Sequence, residues 1–239
     1  MTEFITAPLL RGFNEIKPLF ELCEKHGGTI CGGYARYCAS PKPTNQVKPA
    51  GDVDMFPNTE QATNAIHDAL LAMGFEDVHE NHVCITMKAE KGRDELAYMP
   101  QPQIIKPIIE GKIVALGTID EILENFDFTV VRAAILTPTE VLVDPNFLED
   151  EKYGKLCLRN IHCPISSLLR CCKYVRKGYF LRPAEALKLF MDWTDRGEEY
   201  QQRIIALFLE SAKGEKSDKN PNGMTQEEID ELEALLRID

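Results

Sequence analysis

Thr29-Ile30-Cys31-Gly32-Gly33-Tyr34-Ala35-Arg36, followed after a loop by Gly51-Asp52-Val53-Asp54-Met55-Phe56, is the stretch on which the fold turns. Thr29–Cys31 is a short β-favouring run that stops at two glycines, and Tyr34–Ala39 has room for a brief helix. Residues 40–51 (SPKPTNQVKPAG) hold three prolines and a glycine and form the loop. Asp52–Phe56 then reads as a strand closed by Pro57. Alternate residues of a strand point to the same side, so Asp52 and Asp54 share one face while Val53 and Met55 share the other. Carboxylates placed this close repel each other unless a cation sits between them. Mg²⁺ suits that position, because it takes oxygen ligands, usually one or two carboxylates plus substrate phosphates. Two such ions, about 3.5–4 Å apart, can activate an attacking oxygen and stabilise a leaving one.

Asp-x-Asp alone is weak evidence and reads more readily as a solvated strand end. The glycine pair changes the balance. Backbone N–H groups at Gly32 and Gly33, bare of side chains, can approach a triphosphate at the positive end of a helix. The competing reading is an ordinary tight turn, which Gly-Gly often makes. Gly-Gly, Arg36 and a strand Asp-x-Asp together are more specific than any one of them.

Working outward, residues 8–26 carry apolar side chains at helical spacing and stop at Gly27-Gly28, with Pro18 expected to kink or divide the helix. Asn58 caps a helix over about Thr59–Met73. His82–Ala89 and Gln103–Ile109 read as strands, the second weakened by Pro107. Thr118 with Glu121 opens a short helix, and Phe126–Leu136 is a β-branched and apolar run expected to be a strand. The order β-α-β-β-α-β implies an α/β (α+β) fold, a mixed sheet with helices packed on it. Beyond about residue 163 the character becomes helical, over 164–178, 183–193 and 197–212. A polar linker spans 213–224, and Thr225 and Glu228 cap a last amphipathic helix.

Three elements resemble the DNA polymerase β-type nucleotidyltransferase superfamily. Cys31-Gly32-Gly33-Tyr34-Ala35-Arg36 with Gly51-Asp52-Val53-Asp54-Met55 is similar to its signature Gly-Gly-x-x-Arg…Asp-x-Asp. Phe126-Asp127-Phe128-Thr129-Val130-Val131 resembles the Arg-Asp-Phe-Thr-Ile-Asn element of CCA-adding enzymes and bacterial poly(A) polymerases. Ser166–Tyr179 is similar to that group's Leu-Arg-x-x-Arg-Phe-Ala…Gly-Phe helix. The elements stand in family order across about residues 29–180. Asn125-Phe126 replaces the basic residues usual before Asp-Phe-Thr, and Val131 replaces the asparagine after it. The resemblance therefore implies nucleotidyl transfer and not CCA addition as such. It also implies a nucleotidyltransferase core over 1–150 and a helical region over 151–212 that completes the cleft, then the linker at 213–224 and the helix at 225–239.

A third carboxylate, usual in the superfamily on a neighbouring strand, falls by resemblance on Asp127. A charge within an apolar strand is costly unless it is paired, which agrees with a metal-facing role. The alternative is that Asp127 caps or pairs locally while the metal-facing position lies nearer Gln103, which is not a carboxylate. Arg36 either supports the glycine loop or contacts phosphate. Arg170, Lys173 and Lys177 fall on one helical face, with Arg176 beside it, and could bind a triphosphate tail or an RNA backbone. Such a face is just as often simply solvated.

Composition narrows the function further. The chain has 239 residues and a formal net charge of -11, which disfavours coating long nucleic acids and leaves local binding open. Eight cysteines are scattered, several within apolar stretches, and fit no zinc pattern of two paired ligands facing two others. They read as reduced core residues. With no basic leader and no membrane-length apolar run, a cytoplasmic protein without a membrane partner is expected. The expected reaction moves NMP from an NTP (ATP among the candidates) to an acceptor hydroxyl, with two Mg²⁺ ions or Mn²⁺ in their place. An RNA 3′ end, tRNA included, is the favoured acceptor. The alternatives are a protein or small-molecule acceptor, a toxin-like tRNA modifier, and a catalytically silent nucleotide- or partner-binding protein. Oligomeric state is not legible.

Overall fold

Glycine punctuation and two-residue alternation build most of the sheet. A computed structural model of the protein describes residues 2–80, 84–106, 108–109, 112–113 and 117–205. They fall into two compact units, one ending at Asn160 and the other beginning at Ile161. The first contains β1 (Ile5–Pro8), α1 (Phe13–His26), β2 (Gly28–Cys31), α2 (Gly33–Ala39), β3 (Asp52–Pro57), α3 (Glu60–Met73), β4 (Phe75–Glu80), β5 (Cys84–Ala89) and β6 (Gln101–Ile105). A small hairpin of β7 (Ile108–Ile109) and β8 (Lys112–Ile113) precedes α4 (Ile119–Glu124), β9 (Ala133–Thr137), β10 (Glu140–Val143) and α5 (Phe147–Tyr153). The main sheet has eight strands in the order β1-β10-β9-β2-β3-β6-β5-β4. β3 and β6 run parallel, while β2 is antiparallel to both β3 and β9. The sheet is mixed, as the α/β reading requires.

Its two faces are covered differently, and that difference creates the site. Val53, Met55, Ile30, Met87 and Ile104 point into one core with Ile16 and Leu19 of α1, Ala35 of α2, and Ile66 and Leu70 of α3. Fully burying a side chain of this size contributes about 1.5–3 kcal/mol. Cys31, Phe56 and Ala134 point the other way and meet Ile122 and Leu123 of α4, with Phe126 packed beside them. Asp52 and Asp54 alternate with Val53 and Met55, so they belong to the α4 face and are half-buried there.

Several elements differ from expectation for identifiable reasons. α1 starts at Phe13 and is not divided at Pro18. The residues ahead of it supply β1, which pairs with β10 at the sheet edge. The cap of α3 is Thr59, whose Oγ1 accepts from Ala62 N at 3.0 Å, and not Asn58. At α4 the expected capping box between Thr118 and Glu121 is present in full. Phe126–Leu136 is not one strand. A 3₁₀ turn occupies Thr129–Val131, and the strand starts only at Ala133. Asp127 accordingly sits in the turn after α4.

The second unit holds α6 (Pro164–Arg176) and α7 (Pro183–Asp195), each with proline in its first turn, where the missing N–H costs nothing. Another helix starts at Glu198 and continues to Ile205, the last described residue. The expected linker at 213–224 and helix at 225–239 lie outside the described residues. Among the described residues no helix is long and apolar enough to cross a membrane.

Candidate active site

β3 brings the two carboxylates together. Asp54 is the register partner of Cys31 on β2 and of Gln103 on β6, and Asp52 that of Gln101. Their electrostatic reach is visible in two cysteines. Burial holds the Cys31 thiol well above its usual pKa, with Cys23 and Asp54 adding to the shift. Burial also raises Cys84 on β5; the Thr86 hydrogen bond and Lys106 oppose this, and Asp54 and Asp52 reinforce it.

Gly32 makes the turn from β2 into α2, with φ 79° and ψ -135°, a region open essentially to glycine alone. Its N–H donates to the Ala133 carbonyl at 2.8 Å and is thus committed to the sheet. A Cβ on Gly32 would stand 3.1 Å from Asp54 Oδ2 and 3.2 Å from Phe126 Cε1. Gly32 serves the site by letting the Asp54 carboxylate lie against bare backbone. Gly33 opens α2, and a Cβ there would meet only Ala50 Cβ, at 3.5 Å. The backbone at Gly33 is approachable.

Phe126 is held by Arg132. Arg132 Nε donates to the Phe126 carbonyl at 3.0 Å, and Nη2 to the Glu124 carbonyl at 2.9 Å. Nη1 bonds Glu124 Oε2 at 3.1 Å, and fully buried Asp144 lies 3.7 Å away. Asp144 in turn accepts from Arg159 Nε at 3.1 Å. Burial lowers the Arg132 pKa from its ordinary value, and the carboxylates of Glu124 and Asp144 oppose that shift. The Phe126 ring rests 5.5 Å from Phe56, closing the α4 side of the carboxylate face.

Arg36 is 3% exposed, and its Nη1 pairs with Glu151 Oε1 at 3.1 Å. Ser40 Oγ donates to the same oxygen at 2.7 Å. These contacts tie the middle of α2 and its C-cap Ser40, where the 40–51 loop starts, to α5. Arg132, Asp144 and Glu151 had gone unnoticed in the sequence. Arg132 is the only one with a visible signal, a lone charge inside the apolar run Thr129–Leu136.

Asp127 is buried, and its carbonyl accepts from Arg159 N at 2.7 Å. Among the described residues no three His, Cys, Asp or Glu side chains converge as they would on a metal ion. Asp127 lies in a turn after α4, in place of the expected strand. Asp52 and Asp54 have the chemistry of a Mg²⁺ site: hard oxygen donors on a half-buried face, beside backbone without side chains. In the second unit Arg170, Lys173 and Lys177 are exposed, and Lys177 Nζ lies 5.3 Å from the centre of the Tyr174 ring. The cysteines are all free; Cys172 is exposed and Cys84, Cys157 and Cys163 are half-buried, so the expectation of core cysteines holds for Cys23, Cys31, Cys38 and Cys171.

No family model and no curated protein matches the sequence. Solved structures do match the fold. One is a tRNA-processing enzyme in an apo form, with TM-score 0.52 and 17% identity over 95% of this chain and 57% of that one. Another is an apo CCA-adding enzyme, with TM-score 0.52 and 14% identity over 94% of this chain and 52% of that one. A CCA-adding enzyme in complex with ATP matches at TM-score 0.50 and 14% identity, over 94% of this chain and 57% of that one. The protein shares their fold and spans little more than half their length.

Proposed function

We propose that the protein is a metal-dependent nucleotidyltransferase of the DNA polymerase β type, moving NMP from an NTP to an acceptor hydroxyl, with an RNA 3′ end as the favoured acceptor. The observation that carries this reading is the pairing of Asp52 and Asp54 on one half-buried sheet face, with the bare backbone of Gly32 against Asp54. In the reaction the acceptor oxygen forms a bond to the α-phosphorus, the bond from that phosphorus to the bridging oxygen breaks, and pyrophosphate leaves. The hydroxyl proton passes to solvent or to a nearby carboxylate. Asp52 and Asp54 would hold the Mg²⁺ ions, which supply charge neutralisation for the phosphates and for the attacking oxygen. Gly33 leaves room for the phosphates at the start of α2, and Gly32 fixes the position of Asp54. Arg36 holds the loop between the glycines and the carboxylates through Glu151. Exposed Lys173 and Lys177, with Arg170, offer cations for the triphosphate or for an RNA backbone. The fold shared with tRNA-processing and CCA-adding enzymes supports RNA as the acceptor class.

The test is incubation with each α-labelled NTP, Mg²⁺, and a mixture of total RNA and lysate protein, followed by fractionation. Label is expected in the RNA fraction, and Asp52→Asn or Asp54→Asn should abolish it while circular dichroism shows an unchanged fold. Label in protein or in small molecules would move the acceptor assignment. Equal labelling by folded wild type and by both variants would refute the site.

A further inference from the structure

We infer that the carboxamide oxygen of Gln103 is the third protein ligand of this centre, giving it two carboxylates and one neutral oxygen. The inference deepens the metal-dependent reading above and rests on it. Gln103 is the direct register partner of Asp54 in the parallel β3–β6 ladder. Adjacent strands stand about 4.8 Å apart, and partners in register leave the sheet on the same side. Alternation agrees, since Pro102 and Ile104 on either side of Gln103 are buried, Ile104 in the helical core, while Gln103 is half-exposed like Asp54.

The other residues in register with Asp54 and Gln103 carry neither carboxylate nor carboxamide. Cys31, across from Asp54 on β2, is fully buried under α4. Thr86, across from Gln103 on β5, has its hydroxyl 3.7 Å from Cys84 Sγ. Asp127 lies in the turn after α4 and not on a strand of this face. Gln103 is the oxygen-bearing side chain that the β3–β6 ladder places in register with Asp54.

A carboxamide suits the position in two ways. Its oxygen is a hard neutral ligand of the kind divalent cations accept. Its NH₂ group can donate to a phosphate or acceptor oxygen, which a carboxylate cannot do. The centre then carries one negative charge fewer than a three-carboxylate site would. Cation affinity depends on ligand charge count, so the metal should be held weakly by the protein alone and more firmly once nucleotide phosphates contribute.

The experiment measures Mn²⁺ binding by electron paramagnetic resonance, with the full chain and a non-hydrolysable NTP analogue. Gln103→Ala should weaken binding on the order of tenfold, and Gln103→Glu should strengthen it by a similar factor. A melting series adds an independent readout. Gln103→Glu should melt below wild type in chelator, because its carboxylate repels Asp54, and at or above wild type in saturating Mn²⁺. Wild-type Mn²⁺ affinity in both variants, with Asp54→Asn losing binding, would overturn the assignment of Gln103 and leave the carboxylate pair standing. If wild type binds no more Mn²⁺ than Asp54→Asn, the metal-dependent reading falls and this inference with it.

Discussion

Two adjacent glycines make a sharp test, because they occupy opposite backbone environments. Gly32 holds φ 79° and ψ -135°, and a Cβ there would approach Asp54 Oδ2 to 3.1 Å and Phe126 Cε1 to 3.2 Å. Gly33 lies in the first turn of α2, and its Cβ would touch only Ala50 at an ordinary 3.5 Å. For Gly32→Ala the backbone strain costs about 1–3 kcal/mol. The crowded contacts add to this, since either the carboxylate or the ring must give by a few tenths of an ångström. A loss of about 2 kcal/mol lowers Tm by roughly 4–8 °C in a unit of this size. Moving Asp54 should reduce kcat as well, because a misplacement of about 1 Å can cost on the order of a hundredfold. Gly33→Ala should melt at or slightly above wild type, since alanine in a compatible conformation restricts the unfolded chain and stabilises by about 0.4–1 kcal/mol. Its methyl group stands where the triphosphate would approach, so KM for NTP should rise. Calorimetry and steady-state kinetics on the two variants separate these effects. A Gly32→Ala protein with wild-type Tm would refute the backbone argument, and an unchanged KM in Gly33→Ala would remove the phosphates from α2.

Glu151→Gln strips a buried guanidinium of its carboxylate and should cost about 3–5 kcal/mol in urea unfolding, whereas the double variant Arg36→Met/Glu151→Leu should cost less than the single one; the reverse order would mean that the pair does not act as a unit. The double substitution Lys173→Ala/Lys177→Ala should raise KM for NTP or for RNA with stability changed within about 0.5 kcal/mol, because both side chains are exposed. Added salt should weaken wild type more than this variant; equal KM values for both substrates across the salt series would show that the face is merely solvated.

The parts of the fold legible in the sequence are those dictated by local chemistry. Asp52–Phe56 declares itself by two-residue alternation, the α4 capping box by Thr118 and Glu121, and the β2–α2 turn by its glycines. What escaped reading depends on partners distant in sequence. β1 is four residues whose strand identity comes from β10, more than 130 positions away. Glu151 looks like one more acid in the Glu149-Asp150-Glu151 run, and only tertiary packing buries it against Arg36.

The Phe126–Leu136 run shows the opposite failure, in which a local signal for a strand pointed the wrong way. Phe126–Leu136 is rich in β-branched and apolar residues, and burial on the sheet would explain that composition. Burial in a turn explains it equally well. Phe128 and Val130 are fully buried without belonging to a strand, and Thr129 Oγ1 donates to Asp150 Oδ2 at 2.8 Å. Arg132 then draws the chain back through its bonds to the Phe126 and Glu124 carbonyls, which a strand would have turned toward its neighbours. An arginine that gathers carbonyls from six and eight residues upstream requires a turn there. The charge in the apolar run was therefore the evidence against a continuous strand, and the turn it holds is where Asp127 sits.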